Sequence, residues 1–222
     1  MIIKVCGMRD TQNIQEVAAL GVDWIGLIFY PKSPRAIENE ECRMKNEELN
    51  MKNSSFKKVG VFVNATFEEM MEAVAVYGLD YLQLHGDESP ERCFSLQKRG
   101  ISLIKAISIA TIEDLEKTKT YEEYVDYFLF DTKCKHYGGS GKTFDWSILS
   151  AYKGNTPFLL SGGIHPGSVE AIRNVSHPQC AGIDLNSGFE TEPALKDIEK
   201  LKFFLSQLSN NVRLAKRKAI NN

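Results

Sequence analysis

No apolar run in this 222-residue chain approaches the roughly 20 residues that a membrane-spanning helix needs, so no membrane partner is expected. The N-terminal MIIKVCGM carries a lysine inside its apolar run, and no signal peptide is expected there. An excess of one charge is missing too. The 27 Lys and Arg nearly balance 29 Asp and Glu, for a net charge of -2, which gives no nucleic-acid footprint. Cysteine pairing is also absent. Cys6, Cys42, Cys93, Cys134 and Cys180 are odd in number and never spaced C-x-x-C. That argues against a disulfide scaffold or a zinc site and for a reducing cytoplasm. The sequence shows no internal repeat, no linker and no second domain.

What is present is alternation. Hydrophobic residues make up 43% and charged residues 25%, enough for an ordinary globular core. Short runs of Val, Ile, Leu, Phe and Tyr alternate with segments of helical spacing. Strands are expected near Ile2–Cys6, Trp24–Phe29, Lys58–Val63, Tyr81–Leu84, Ser102–Ala106, Tyr127–Phe130, Pro157–Leu160 and Gly182–Leu185. Most are apolar throughout, as buried parallel strands should be. Eight such units of about 28 residues fit a single-domain α/β fold, the closed (β/α)8 TIM barrel. An open doubly wound sheet competes, but no dinucleotide fingerprint follows the first strand.

Helix ends are legible. Asp10 precedes a helix that Gly21 stops. Thr66 opens one with Glu68 and Glu69 in its first turn, and Gly78 closes it. Pro90 and Pro166 suit first-turn positions, and Gly100 ends the helix that Pro90 begins. Glu38–Lys58 is charged and weakly periodic, and reads as a surface helix followed by a loop. The barrel is expected over residues 1–208. Residues 209–222 carry Arg213, Lys216, Arg217 and Lys218 and read as a basic, frayed tail.

In a barrel, chemistry belongs at the C-terminal ends of the strands. Cys6 ends the first and precedes Gly7. Arg35 follows the second in a loop stiffened by Pro31 and Pro34, and a held guanidinium can clamp a carboxylate or phosphate. His85 follows the fourth. No second histidine or cysteine stands at metal spacing, so no metal site is expected. Asp131 follows the sixth, where a buried strand meets a loop holding Gly138, Gly139 and Gly141, and Asp145 is a plausible N-cap beyond it. Such an acid is well sited for proton transfer, and equally for bonding its own loop. Ser161-Gly162-Gly163 follows the seventh strand. Asp184 lies in the eighth, and Asn186-Ser187-Gly188 follow it. Glycine-bearing turns after strands 7 and 8 together point to a phosphate group.

Taken in order, KVCGM, LIFYPKSPR, KVGVFVN, LQLHGDE, IKAI, LFDTK, GGSGKTFDW, LLSGGIHPGSV and GIDLNSGFET resemble the phosphoribosylanthranilate isomerases of tryptophan biosynthesis, from about Ile2 to Leu208. The resemblance implies the same barrel and an Amadori rearrangement of an aminoaldose to an aminoketose. It implies that Cys6 is the base and Asp131 the acid, and that Arg35 meets the anthranilate carboxylate. Gly162, Gly163, Asn186, Ser187 and Gly188 match the phosphate loops, and His85 and Asp184 match other positions at the mouth. Redox is internal to the substrate, so no cofactor is implied. A small phosphosugar-anthranilate is the implied partner, bound by a monomer or homodimer in the cytoplasm.

Two departures stand out. Strand 8 reads IDLNSG where VDVSSG-like sequences are commoner, and FETEPALK lacks a glycine often found in that loop. No cation is obviously placed to lower the Cys6 pKa. Three alternatives remain open. A barrel that binds phosphate without turnover lacks a reason to hold both Cys6 and Asp131. A relative of indole-glycerol-phosphate synthase would need a lysine and a glutamate on strands, and Lys105 has no evident glutamate. Thiol redox chemistry at Cys6 lacks a resolving cysteine nearby.

Overall fold

The computed structural model describes residues 1–37, 55–132 and 145–220, with side chains to Ser209. Eight parallel strands close in sequence order. They are β1 Ile2–Cys6, β2 Trp24–Ile28, β3 Lys57–Phe62, β4 Tyr81–Leu84, β5 Ser102–Ile109, β6 Tyr127–Thr132, β7 Phe158–Leu160 and β8 Cys180–Leu185. β1 closes the ring by pairing Ile3 with Ile183 on β8 and Val5 with Ile25 on β2.

The (β/α)8 expectation holds, with local corrections. β5 runs three residues beyond the expected Ala106, and β6 includes Asp131 rather than stopping before it. Phe130, Asp131 and Thr132 stay in register with Ile107, Ser108 and Ile109, so pairing carries both strands further than apolar content alone suggests. Cys180 begins β8 instead of preceding it, still at the end away from the mouth. β3 begins at Lys57 and Phe56 is buried in the core, so the end of the Glu38–Lys58 segment is not surface structure. Residues 38–54, with Cys42, and 133–144, with Cys134 and the three loop glycines, lie outside the described residues.

The helices are α1 Thr11–Ala19, α2 Phe67–Tyr77, α3 Pro90–Gln97, α4 Val169–Arg173 and α5 Ile198–Ile220. Asp10 caps α1 by accepting from the Asn13 backbone. Thr66 and Glu69 form a reciprocal capping box on α2, and Gly78 ends it at φ 59°. The β5–β6 connection and the described part of the β6–β7 connection contain 3-10 helices, Ile112–Thr120 and Trp146–Ala151, the second capped by Asp145. α5 continues to Ile220, so the backbone expected to fray from Ser209 is helical. No helix among the described residues is long and apolar enough to cross a membrane.

The core has two parts. Most buried residues lie in the shell between strands and helices. A second cluster joins Trp24, Val59, Ile104, Ala106, Leu129 and Leu159, with Ile2, Tyr81 and Tyr127 packed against it. The Trp24 and Tyr81 rings stack at 4.8 Å, and Tyr127 meets Trp24 edge-on at 5.1 Å. This is the floor of the barrel. Strand side chains alternate, so two residues further along each strand the same face carries a different layer.

Candidate active site

That next layer is the site. Two residues beyond Leu129 is Asp131, and two beyond Leu159 is Ser161. Two and four beyond Tyr81 are Gln83 and His85, and four beyond Ile2 is Cys6. Cys6, Gln83, His85, Asp131, Ser161 and Asp184 all line one cavity of about 390 Å³. Arg35, Gly162, Gly163, Asn186 and Ser187 complete its rim. Of the ten expected site residues, Gly188 alone is not in that wall. A Cβ there would meet the Ile164 carbonyl at 2.3 Å, so it lets the loop after β8 press against the loop after β7.

Cys6 is buried at the end of β1. Room for its thiol comes from Gly26 on the neighbouring strand, where a Cβ would lie 2.7 Å from the Cys6 sulfur. Burial pushes the thiol above its ordinary value, helped by the Asp184 carboxylate, while the Lys4 ammonium and, less strongly, Lys196 pull the other way. The expectation that no cation serves Cys6 is therefore corrected. Lys4 is fully buried two residues earlier on the same face, and its Nζ donates to Asp184 Oδ1 at 2.9 Å. Burial works against its charge, but the Asp184 carboxylate and Cys6 more than offset that, and Lys4 is held above the usual lysine value. An i, i+2 lysine before the cysteine was the signal in the sequence.

Asp131 faces Cys6 from β6, across the same cavity. Its Oδ1 accepts from the Thr132 backbone at 2.8 Å, and Oδ2 lies 3.3 Å from His85 Nε2. Gly162 sits directly against it at φ 86°. A Cβ there would meet Thr132 Oγ1 at 2.2 Å and Asp131 Oδ1 at 2.9 Å. Gly163 follows at φ 66°. The turn after β7 thus wraps closely around the acid.

Arg35 is not a free loop guanidinium. It makes a two-pronged contact with Glu190, Nε to Oε1 at 2.8 Å and Nη2 to Oε2 at 2.7 Å. Glu190 also pairs with the buried Lys196, whose Nζ donates to Asn186 Oδ1 at 3.0 Å. Burial works to raise the Glu190 carboxyl, yet its Arg35 and Lys196 partners hold it below the usual range. Glu190 lies within GIDLNSGFET and Lys196 within FETEPALK, but neither was singled out as a site residue. They belong to a hairpin, β9 Glu190–Glu192 and β10 Leu195–Lys196. Ala194, at its turn, takes φ 72°. The loop noted as lacking glycine places an alanine in the left-handed conformation that glycine adopts freely.

Lys105 does have a glutamate. Its Nζ donates to Glu88 Oε2 at 3.0 Å, and to the Leu84 and Gly86 carbonyls. However, Leu103 and Ile107, of the same parity on β5, belong to the shell outside the barrel. The pair therefore braces the β4–α3 loop from behind and lines no part of the cavity. Glu88 in turn accepts from the Asn64 and Gly86 backbones, fixing the loop that carries His85. This arrangement removes the indole-glycerol-phosphate synthase reading.

Comparison with known proteins agrees with this geometry. The sequence profile of the family described as N-(5'phosphoribosyl)anthranilate (PRA) isomerase matches residues 3–207. The N-(5'-phosphoribosyl)anthranilate isomerase of Parabacteroides distasonis is 66% identical over 208 residues, covering 94% of this chain and 93% of that protein. A phosphoribosylanthranilate isomerase crystallised with reduced 1-(o-carboxyphenylamino)-1-deoxyribulose 5-phosphate superposes with a TM-score of 0.77 at 31% identity, over 95% of this chain and 100% of the other. Monomers generated from the dimeric enzyme of Thermotoga maritima superpose equally, with a TM-score of 0.77, 31% identity and the same coverage.

Proposed function

Because the chain belongs to the N-(5'-phosphoribosyl)anthranilate isomerase family, we propose that Cys6 and Asp131 are the base and acid of its reaction. The protein is an isomerase of tryptophan biosynthesis. It converts N-(5'-phosphoribosyl)anthranilate into 1-(2-carboxyphenylamino)-1-deoxyribulose 5-phosphate.

The steps divide between two walls of the barrel. Asp131 protonates the furanose ring oxygen, the C1′–O bond breaks, and a Schiff base forms with the anthranilate nitrogen. Cys6 as thiolate takes the C2′ proton, giving an enolamine, which tautomerises to the ketone. The Lys4 ammonium, held by Asp184, is the cation that favours the thiolate. Backbone N–H groups around Gly162, Gly163, Asn186, Ser187 and Gly188 hold the phosphate. Arg35 meets the anthranilate carboxylate, oriented for it by Glu190. His85 supports Asp131.

The observation that carries this reading is the single cavity, with Cys6 and Asp131 in its wall and the Ser161–Gly163 and Asn186–Ser187 turns on its rim. A phosphate-binding barrel without turnover gains nothing from that placement. The catalytic unit is residues 1–208, working in the cytoplasm as a monomer or homodimer. The test follows anthranilate fluorescence with freshly made substrate. Wild-type protein turns over, while Cys6→Ala and Asp131→Asn lose nearly all activity. Wild-type rates in either variant would remove that residue from its role.

A further inference from the structure

Gln83 has no part in the mechanism as described, yet it is buried in the cavity wall, two residues before His85 on the same face of β4. Its side-chain Nε2 lies 2.8 Å from His85 Nδ1. The other end of the same amide, Oε1, is buried with no hydrogen-bond partner among the described residues. An orphaned buried carbonyl is a cost that Leu or Met would avoid. A side chain kept for packing has no reason to carry it, whereas one kept for what its nitrogen does to a neighbour has.

That neighbour is His85. An amide N–H can only donate, so a Gln83 N–H aimed at Nδ1 requires a lone pair there, and the neutral ring then carries its proton on Nε2. His85 Nε2 is the atom 3.3 Å from Asp131 Oδ2. We propose that Gln83 is a positioning residue for proton transfer: its amide holds His85 in the Nε2–H tautomer, so that a neutral N–H donor faces the Asp131 carboxylate left when the proton passes to the substrate ring oxygen. With the other tautomer a lone pair would face that carboxylate and oppose the same step. Contacts of this kind tighten when substrate binds, and Asp131 then gives up its proton against a donor already in place. This inference rests on Asp131 being the acid.

The experiment uses the full chain. ¹⁵N NMR of His85, at a pH where the ring is neutral, should report protonation at Nε2 in wild type and a shift toward Nδ1 protonation in Gln83→Leu. In turnover, Gln83→Leu should lower kcat about tenfold, a part of the roughly hundredfold or more that a positioned acid supplies, with KM changed by less than about twofold. With its carboxyl ionised, Gln83→Glu offers Nδ1 only acceptors and should be worse than Gln83→Leu, although it is closer in shape. A purely structural role predicts the reverse order. In an Asp131→Asn background, Gln83→Leu should cost nothing further. An Nδ1–H tautomer in wild type, or wild-type kcat in Gln83→Leu while Asp131→Asn is inactive, would overturn the role of Gln83 alone. Wild-type kcat in Asp131→Asn would instead overturn the acid assignment.

Discussion

The floor and the mouth of this barrel are built by the same strands, two residues apart, and are chemically opposite. The floor holds Val59, Ile104, Leu129 and Leu159 beside a Trp24–Tyr81–Tyr127 aromatic group. Above it stand Lys4, Cys6, Gln83, His85, Asp131 and Asp184. Stepping from Leu129 to Asp131 crosses from a side chain whose only use is packing to one whose use is chemistry. The floor lets the mouth be polar. Fully burying a large apolar side chain is worth roughly 1.5–3 kcal/mol, whereas a buried ion pair such as Lys4–Asp184 is weak evidence for stability. The mouth is therefore held in place chiefly by its surroundings.

The comparison breaks most sharply at the mouth. Cys6→Ala and Asp131→Asn should each lower kcat by at least about a hundredfold, the scale of general acid–base catalysis, while melting close to wild type. Steady-state kinetics beside thermal unfolding read both. The floor should behave oppositely. Leu129→Ala should cost about 2–5 kcal/mol of stability in denaturant titration, with kcat per folded molecule unchanged. A loss of kcat there would mean that the floor is part of the site.

A smaller effect sharpens the electrostatics of the mouth. Burial holds the Cys6 thiol above its ordinary value, so its thiolate fraction grows with rising pH. In a pH profile, the Cys6-dependent limb of kcat/KM should still be climbing above about pH 8.5, the value of a free thiol. A limb already flat there would mean that Lys4 outweighs burial. The smallest effect lies on the rim. Ala194→Gly relieves a left-handed alanine and should raise stability by up to about 1 kcal/mol in denaturant titration, with activity unchanged.

The sequence carried the strand order and most helix caps, and nine of the ten site residues expected from it line the cavity or its rim, because strand ends and glycine turns are local signals. It did not carry the partners. Lys4 was legible in principle, two residues before Cys6, but a lysine inside an apolar strand reads as an interruption until its Asp184 partner, 180 residues away, is seen. Glu190 and Arg35 are 155 residues apart and meet only when the barrel closes. Lys105 shows the converse. Its type suggested catalysis, but its parity on β5 turned it outward to Glu88. Gly26 drew no expectation from the sequence, and its missing Cβ leaves the space that the Cys6 thiol occupies.

The division of labour between the two walls is tested most directly by a deuterium isotope effect at substrate C2′, measured on the two mouth variants. With Cys6→Ala, removal of that hydrogen becomes the slow step and turnover should show a full primary isotope effect. With Asp131→Asn, ring opening becomes slow and the effect should fall to near unity. The opposite pattern, or the same effect in both variants, would contradict the assignment of base to β1 and acid to β6.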